Sequence, residues 1–208
     1  MSVNLLILSA PSGGGKTSLA RALVRDLPHA MLSVSHTTRA MRPGEEDGKD
    51  YFFVSDDQFK YMIENDAFLE YAPVFDHWYG TASAPVARAI DQGNLVVLDI
   101  DWQGARKVRE KMSHALSIFI VPPSLEALEA RLRNRRQDAD AVIQRRMRDA
   151  VEQMKHGQEY DHIVKNDNFD AALSDIKAYV DGREKDVRPL NVDVSDLIDA
   201  GRYENAAN

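Results

Sequence analysis

Leu5-Leu6-Ile7-Leu8-Ser9 runs directly into Ala10-Pro11-Ser12-Gly13-Gly14-Gly15-Lys16-Thr17, and helical periodicity follows. The order is buried strand, glycine loop, helix, and it constrains the chain more than any other feature. Consecutive glycines let backbone N–H groups converge on an anion without Cβ interference, while the helix N-terminus adds partial positive charge. Lys16 is placed to bridge β- and γ-phosphates. Thr17 offers a hydroxyl to Mg²⁺, which prefers oxygen ligands and keeps several waters. The segment from Ala10 to Thr17, with Pro11, Ser12, Gly13, Gly14 and Gly15 between, is the candidate triphosphate site. Ala10 stands where the Gly-x-x-x-x-Gly-Lys-Ser/Thr pattern has its first glycine, and alanine still permits the tight turn. A ligand-free surface loop is the alternative, and the flanking strand and helix argue against it.

Further along, short β-rich runs alternate with amphipathic stretches, the pattern of an α/β fold built on a mostly parallel sheet. Val3–Ser9, Met31–Ser35, Leu95–Asp99, Leu116–Val121 and His162–Val164 read as buried strands. Helices are expected at Ser18–Leu27, Gln103–Met112, Ser124–Arg133, Ala141–Lys155 and Phe169–Val180. Thr37 to Gly93 reads as a smaller inserted lobe, with strands at Tyr51–Val54 and Phe68–Val74 and a capping box at Ser55 and Gln58. Asn134–Asp140 is a polar, arginine-flanked break that suits a mobile lid. Beyond Gly182 a polar, frayed tail is expected, with Val194, Leu197 and Ile198 able to form one amphipathic turn. The third strand ends in Asp99 and Asp101, whose spacing puts both carboxylates on one face. There they suit coordination of Mg²⁺ through water, while Asp101 can equally cap the following helix.

Twenty-six basic and 33 acidic side chains leave a net charge of −7, which argues against a general nucleic-acid coat or an anionic-membrane binder. The absence of cysteine removes disulfides and thiol chemistry and fits a reducing compartment. Met1-Ser2-Val3-Asn4 lacks the basic region of a signal peptide, and no apolar run approaches the ~18 residues of a membrane span. A cytoplasmic location is expected. The six histidines show no metal spacing, and His36 is the one that stands beside a candidate pocket residue, Ser35.

Ser33 to Phe53, with Arg39-Ala40-Met41-Arg42-Pro43-Gly44-Glu45 at its centre, resembles the nucleoside-monophosphate signature of the guanylate kinases. So do Phe68-Leu69-Glu70-Tyr71, Tyr79-Gly80-Thr81, Asp99-Ile100-Asp101-x-Gln103-Gly104 and Pro122-Pro123-Ser124, in the family's order from Val3 to Asp181. The likeness is to the bacterial form of these P-loop nucleoside monophosphate kinases. It implies a three-layer P-loop NTPase fold with a five-stranded parallel core sheet (3–35 and 94–182), an inserted GMP-binding lobe (36–93) and a helical lid (about 125–155), leaving 183–208 as tail.

The same resemblance implies roles. Arg39 and Arg42 would grip the GMP phosphate with guanidinium forks, joined by the hydroxyls of Tyr51 and Tyr79. Glu70 would accept hydrogen bonds from guanine N1–H and its N2 amine, with Ser35 and Thr81 reaching O6 and neighbouring edge atoms and Asp101 completing the pocket. Adenine offers no matching donor pair, and a good bidentate base contact discriminates by ~1–3 kcal/mol.

Arginines 131, 133, 135, 136, 145, 146 and 148 crowd the lid with no lysine among them, which favours forked recognition of phosphate oxygens. Of these, Arg135 and Arg146 match lid arginines that reach ATP, and Arg131 supports them. Asn134-Arg135-Arg136 replaces the usual Gly-Arg-Gly, and Lys165 replaces an apolar residue before Asn166-Asp167.

The implied reaction is Mg²⁺-dependent transfer from ATP to GMP, with Lys16, Arg39, Arg135 and Arg146 catalytic and Thr17 and Asp99 toward the metal, Asp99 through water. Use of dGMP and the choice between monomer and homo-oligomer stay open. A guanylate-kinase-like interaction module would have lost the loop lysine or the GMP grips, and all are present here. A sugar-phosphate kinase would not need Glu70 with Ser35 and Thr81. A GTPase switch would carry Asn-Lys-x-Asp, which does not occur.

Overall fold

A computed structural model describes residues 3–74, 76–134 and 139–199. The elements in the first half are β1 (Leu5–Ser9), α1 (Lys16–Asp26), β2 (Ala30–Leu32), β3 (His36–Thr37), β4 (Phe52–Phe53), α2 (Asp56–Glu64), β5 (Phe68–Val74), β6 (His77–Ala82) and α3 (Ser83–Asp91). The second half adds β7 (Leu95–Asp99), α4 (Trp102–Lys111), β8 (Leu116–Val121), α5 (Leu125–Asn134), α6 (Asp140–Met154), β9 (His162–Lys165) and α7 (Phe169–Val180).

The apolar N-terminal run is buried at every position because it is the middle strand of a parallel sheet ordered β2-β7-β1-β8-β9. Leu5 stands in register with Val96, and Leu6 with Leu116. Alternation along β1 sends Leu6 and Leu8 to one face, where Leu19 and Leu23 of α1 and Leu173 and Ile176 of α7 cover them. Leu5 and Ile7 face the other side, against Val86 of α3, Val108 of α4, and Val151 and Met154 of α6. Helices on both faces make three layers, as a parallel sheet requires.

A second sheet, ordered β4-β3-β6-β5, is inserted between β2 and β7. Its strands β3 and β6 and the helix α3 are additions to the sequence reading: a two-residue strand carries no pattern, Gly80 interrupts the alternation of β6, and Pro85 obscures α3 although proline is tolerated in a first turn. The capping box forms as expected, with Ser55 Oγ accepting from the Gln58 amide and Gln58 Oε1 accepting from the Ser55 amide. Several boundaries shift. α1 begins at Lys16, two residues early, and β2 ends at Leu32, although the Ser33 amide still bonds to the Val97 carbonyl at 2.9 Å.

Residues 183–199 pack back onto the body instead of fraying. Arg188 donates to both Asp175 and Asp167 and to the Lys165 carbonyl, so the strap crosses the end of edge strand β9. Val194 and Leu197, buried to 6% and 8% exposure, then join the core on the α4 side.

Candidate active site

The phosphate loop turns on a Gly14 amide to Pro11 carbonyl bond of 2.8 Å. Gly15 caps α1 with φ +93°, a left-handed conformation that a side chain resists, and a Cβ there would stand 2.5 Å from Asn166 Nδ2. That amide occupies the space for a reason: it donates to the Gly14 carbonyl at 2.9 Å. Asn166 is itself fixed through its backbone, whose N–H donates to the Val121 carbonyl at 2.8 Å and whose carbonyl accepts from Arg131 at 2.7 Å. The first turn of α1 contains no acid to offset the helix dipole. Within it, the Lys16 ammonium pairs with Asp99 Oδ1 at the end of β7, both side chains largely shielded from water. From α6, Arg146 Nε donates to Ser12 Oγ and Gln153 Oε1 accepts from the Ser12 amide, each at 3.0 Å.

Asp101 does cap α4, accepting from the Gly104 amide at 2.9 Å. Opposite it, Glu70 lies on β5 with only 4% exposure, and Thr81 Oγ1 donates to its Oε1 at 2.5 Å. Burial pushes the Glu70 carboxyl up to about 7, against the bond from Thr81, while nearby Asp101 raises it further and Lys107 lowers it. Arg39 forms a forked pair with Glu45, at 3.0 and 2.7 Å, and lies 5.4 Å from the centre of the Tyr51 ring. Glu45 also accepts from the Arg42 amide at 2.7 Å, so one carboxylate shapes the loop bearing both arginines. Burial, followed by the charge of Asp99, raises the Tyr51 phenol well above its ordinary value and keeps it a neutral donor.

One cavity of about 260 Å³ joins these pieces. The whole phosphate loop lines it, together with Ser35, Arg42, Tyr51, Glu70, Tyr79, Asp99, Asp101 and Arg146. Two expected contact residues lie outside that lining. Thr81 is fully buried behind Glu70, and the Arg39 guanidinium is engaged by Glu45. Arg135 and its neighbour Arg136 fall outside the described residues. Asn166, Gln153 and Glu45 were not assigned roles from sequence. Asn166 and Gln153 act across 152 and 141 residues respectively, and only the Glu45 contact, six residues from Arg39, had a local signal.

The family model described as "Guanylate kinase" matches residues 2–183. The chain belongs to the guanylate kinase family. It is 54% identical over 176 residues to the guanylate kinase of Methylococcus capsulatus, covering 85% of this chain and 86% of that one. Against the guanylate kinase of Escherichia coli K12 the identity is 53% over 178 residues, with the same coverage of 85% and 86%. The crystal structure of guanylate kinase from Anaplasma phagocytophilum superposes with a TM-score of 0.73 at 34% identity, covering 88% of this chain and 87% of that one. Family membership makes the protein a phosphotransferase of the nucleoside monophosphate kinase class.

In this guanylate kinase family member, His36 is a packing residue: its ring stacks on Phe52 at 4.8 Å, and burial lowers its pKa, favouring the neutral ring. Among the described residues no helix is long and apolar enough to cross a membrane.

Proposed function

We propose that the protein transfers the γ-phosphoryl group of ATP to GMP, giving ADP and GDP. The observation that carries this reading is a single cavity lined both by the phosphate loop and by the buried Glu70 carboxylate. An anion cradle and a hydrogen-bond acceptor in one cavity suit a triphosphate facing a nucleoside monophosphate whose base presents donors. Guanine does so through N1–H and N2; adenine lacks that pair. Thr81, which donates to Oε1, orients the carboxylate.

No protein nucleophile is needed. A GMP phosphate oxygen attacks the ATP γ-phosphorus in line, the bond to the β,γ-bridging oxygen breaks, and ADP leaves with that electron pair. The chain contributes position and charge. Lys16 exchanges Asp99 for the β- and γ-phosphates as ATP enters. Arg39, Arg42, Tyr51 and Tyr79 hold the acceptor phosphate, with Glu45 keeping the two arginines in one loop. Arg146, already bonded to Ser12, meets the donor phosphates with Arg135, and lid closure excludes water that would waste ATP.

The oxygen donors fit Mg²⁺. Thr17 supplies a hydroxyl and Asp99, lining the same cavity, a largely shielded carboxylate that would act through water, and among the described residues no group of three or more His, Asp or Glu could hold a metal alone. Phosphate and water must therefore complete the shell. When bound, the ion neutralises triphosphate charge and aligns it for transfer. GMP is the acceptor, dGMP a further candidate, and no nucleic-acid or membrane partner is invoked; the protein would work in the cytoplasm.

A coupled ADP-release assay comparing GMP, AMP, UMP and ribose phosphates tests the proposal. Turnover with GMP far above the others is expected, and Lys16→Ala should abolish it while leaving the far-UV circular dichroism unchanged. Equal turnover with AMP would overturn the base assignment.

A further inference from the structure

β5 is the edge strand of the inserted sheet, so one row of its backbone carbonyls has no partner strand. Helix α4 satisfies that row with side chains. Gln103 Nε2 donates to the Pro73 carbonyl at 3.2 Å, Lys107 Nζ to the Tyr71 carbonyl, and Lys111 Nζ to the Leu69 carbonyl at 2.6 Å. The match is geometric. Four residues of α-helix rise ~6 Å, and two residues of strand span ~6.8 Å, so positions 103, 107 and 111 run alongside 73, 71 and 69. The length of a lysine side chain absorbs the remaining offset. Lys107 also lies 4.5 Å from the centre of the Tyr71 ring.

Glu70 sits between the two lysine-held carbonyls, and its carboxylate points back at the same helix. A Cβ on Gly104 would stand 2.5 Å from Glu70 Oε2 and 2.9 Å from Cδ. Gly104 cannot easily retreat, because its amide is bonded to Asp101. Thr81 holds the other oxygen. The carboxylate therefore has one oxygen tied to β6, the other against a glycine of α4, and its backbone fixed on both sides by lysines of that helix.

We propose that α4 sets where the Glu70 carboxylate stands, Gly104 making room for it and Lys107 and Lys111 fixing the strand around it, so that all three are positioning residues for base selection. The inference rests on the reading of Glu70 as the acceptor for guanine. It assigns the helix a role apart from capping: the row at Gln103, Lys107 and Lys111 ties the inserted sheet to the end of β7, where Asp99 and Asp101 face the cavity.

Steady-state kinetics of Gly104→Ala and of the double variant Lys107→Met/Lys111→Met test it. Methionine keeps side-chain length and helix propensity while removing the donor, and alanine improves propensity. Both should raise KM for GMP about tenfold or more and shrink the GMP-over-AMP preference in kcat/KM by a similar factor. KM for ATP should stay within about twofold, a split that general loosening of the fold would not produce. Lys111→Arg, which keeps a donor, should retain the wild-type KM for GMP. Glu70→Gln is the control. If it leaves GMP binding unchanged, the guanine reading fails and this inference with it. If it weakens GMP while Gly104→Ala leaves KM and base preference untouched, the inference alone is overturned, and that result decides the matter even should the double variant not fold.

Discussion

Replacing Glu70 by Gln should stabilise the folded protein and disable base recognition at the same time. The carboxyl moves from 4.5 to about 7 on burial, which at ~1.4 kcal/mol per pH unit corresponds to roughly 3–4 kcal/mol at most. The sign follows from proton binding. Between those two values the folded state keeps the proton and the unfolded chain releases it, so stability falls as pH rises, with the full cost present above about 7 and none below 4.5. Glutamine carries no charge to desolvate and still presents an Oε1 to the Thr81 hydroxyl. Urea unfolding of both proteins at about pH 5 and about pH 8 isolates the effect as a difference of differences. The variant should gain on the wild type by roughly 1–3 kcal/mol between those conditions. Calorimetry with GMP on the same samples should show affinity lost, because the amide presents a donor to a donor. Stability curves that run parallel across the two pH values would refute the claim that a buried, costly carboxylate is being maintained for recognition.

Two further outcomes follow from particular contacts. Gly15→Ala places a side chain at a left-handed φ, costing ~1–2 kcal/mol, and displaces the buried Asn166 amide from the Gly14 carbonyl, costing ~1–3 kcal/mol more. The urea midpoint should fall and KM for ATP rise; an unchanged KM would mean that the Asn166 contact does not shape the loop. Arg188→Ala should cost roughly 1–3 kcal/mol, discounted for the partial exposure of the arginine, because Asp175 would stay buried with only a backbone donor. Limited proteolysis should then cut the strap after residue 182, and resistance equal to wild type would show that Arg188 is not what holds it.

The phosphate loop, the central strand and the capping box at Ser55 were legible because each is contiguous: the glycines, the apolar run and the Ser-x-x-Gln spacing carry their own geometry. The capping role of Asp101 was legible for the same reason, the residue standing immediately before α4. Glu70 is different. No spacing marked it, and only the resemblance of Phe68-Leu69-Glu70-Tyr71 to a known signature drew it out. The strap was misjudged because its charges looked solvated. Arg188 finds Asp167 and Asp175 only once β9 and α7 lie side by side, and Val194, Leu197 and Ile198, legible as one amphipathic turn, carry no sign in sequence of the surface they dock on.

The chain by itself determined its α/β class, its anion cradle and the residue types available for phosphate and base, because periodicity and loop composition act over a few residues. Tertiary structure decided what those residues do to one another. Asn166 reaches the loop from 152 positions away, the Thr81 hydroxyl donates to Glu70, and Gly104 leaves the space that carboxylate fills. Such relations depend on which groups share a dry, close-packed volume, and only the packing of one element against another creates that volume.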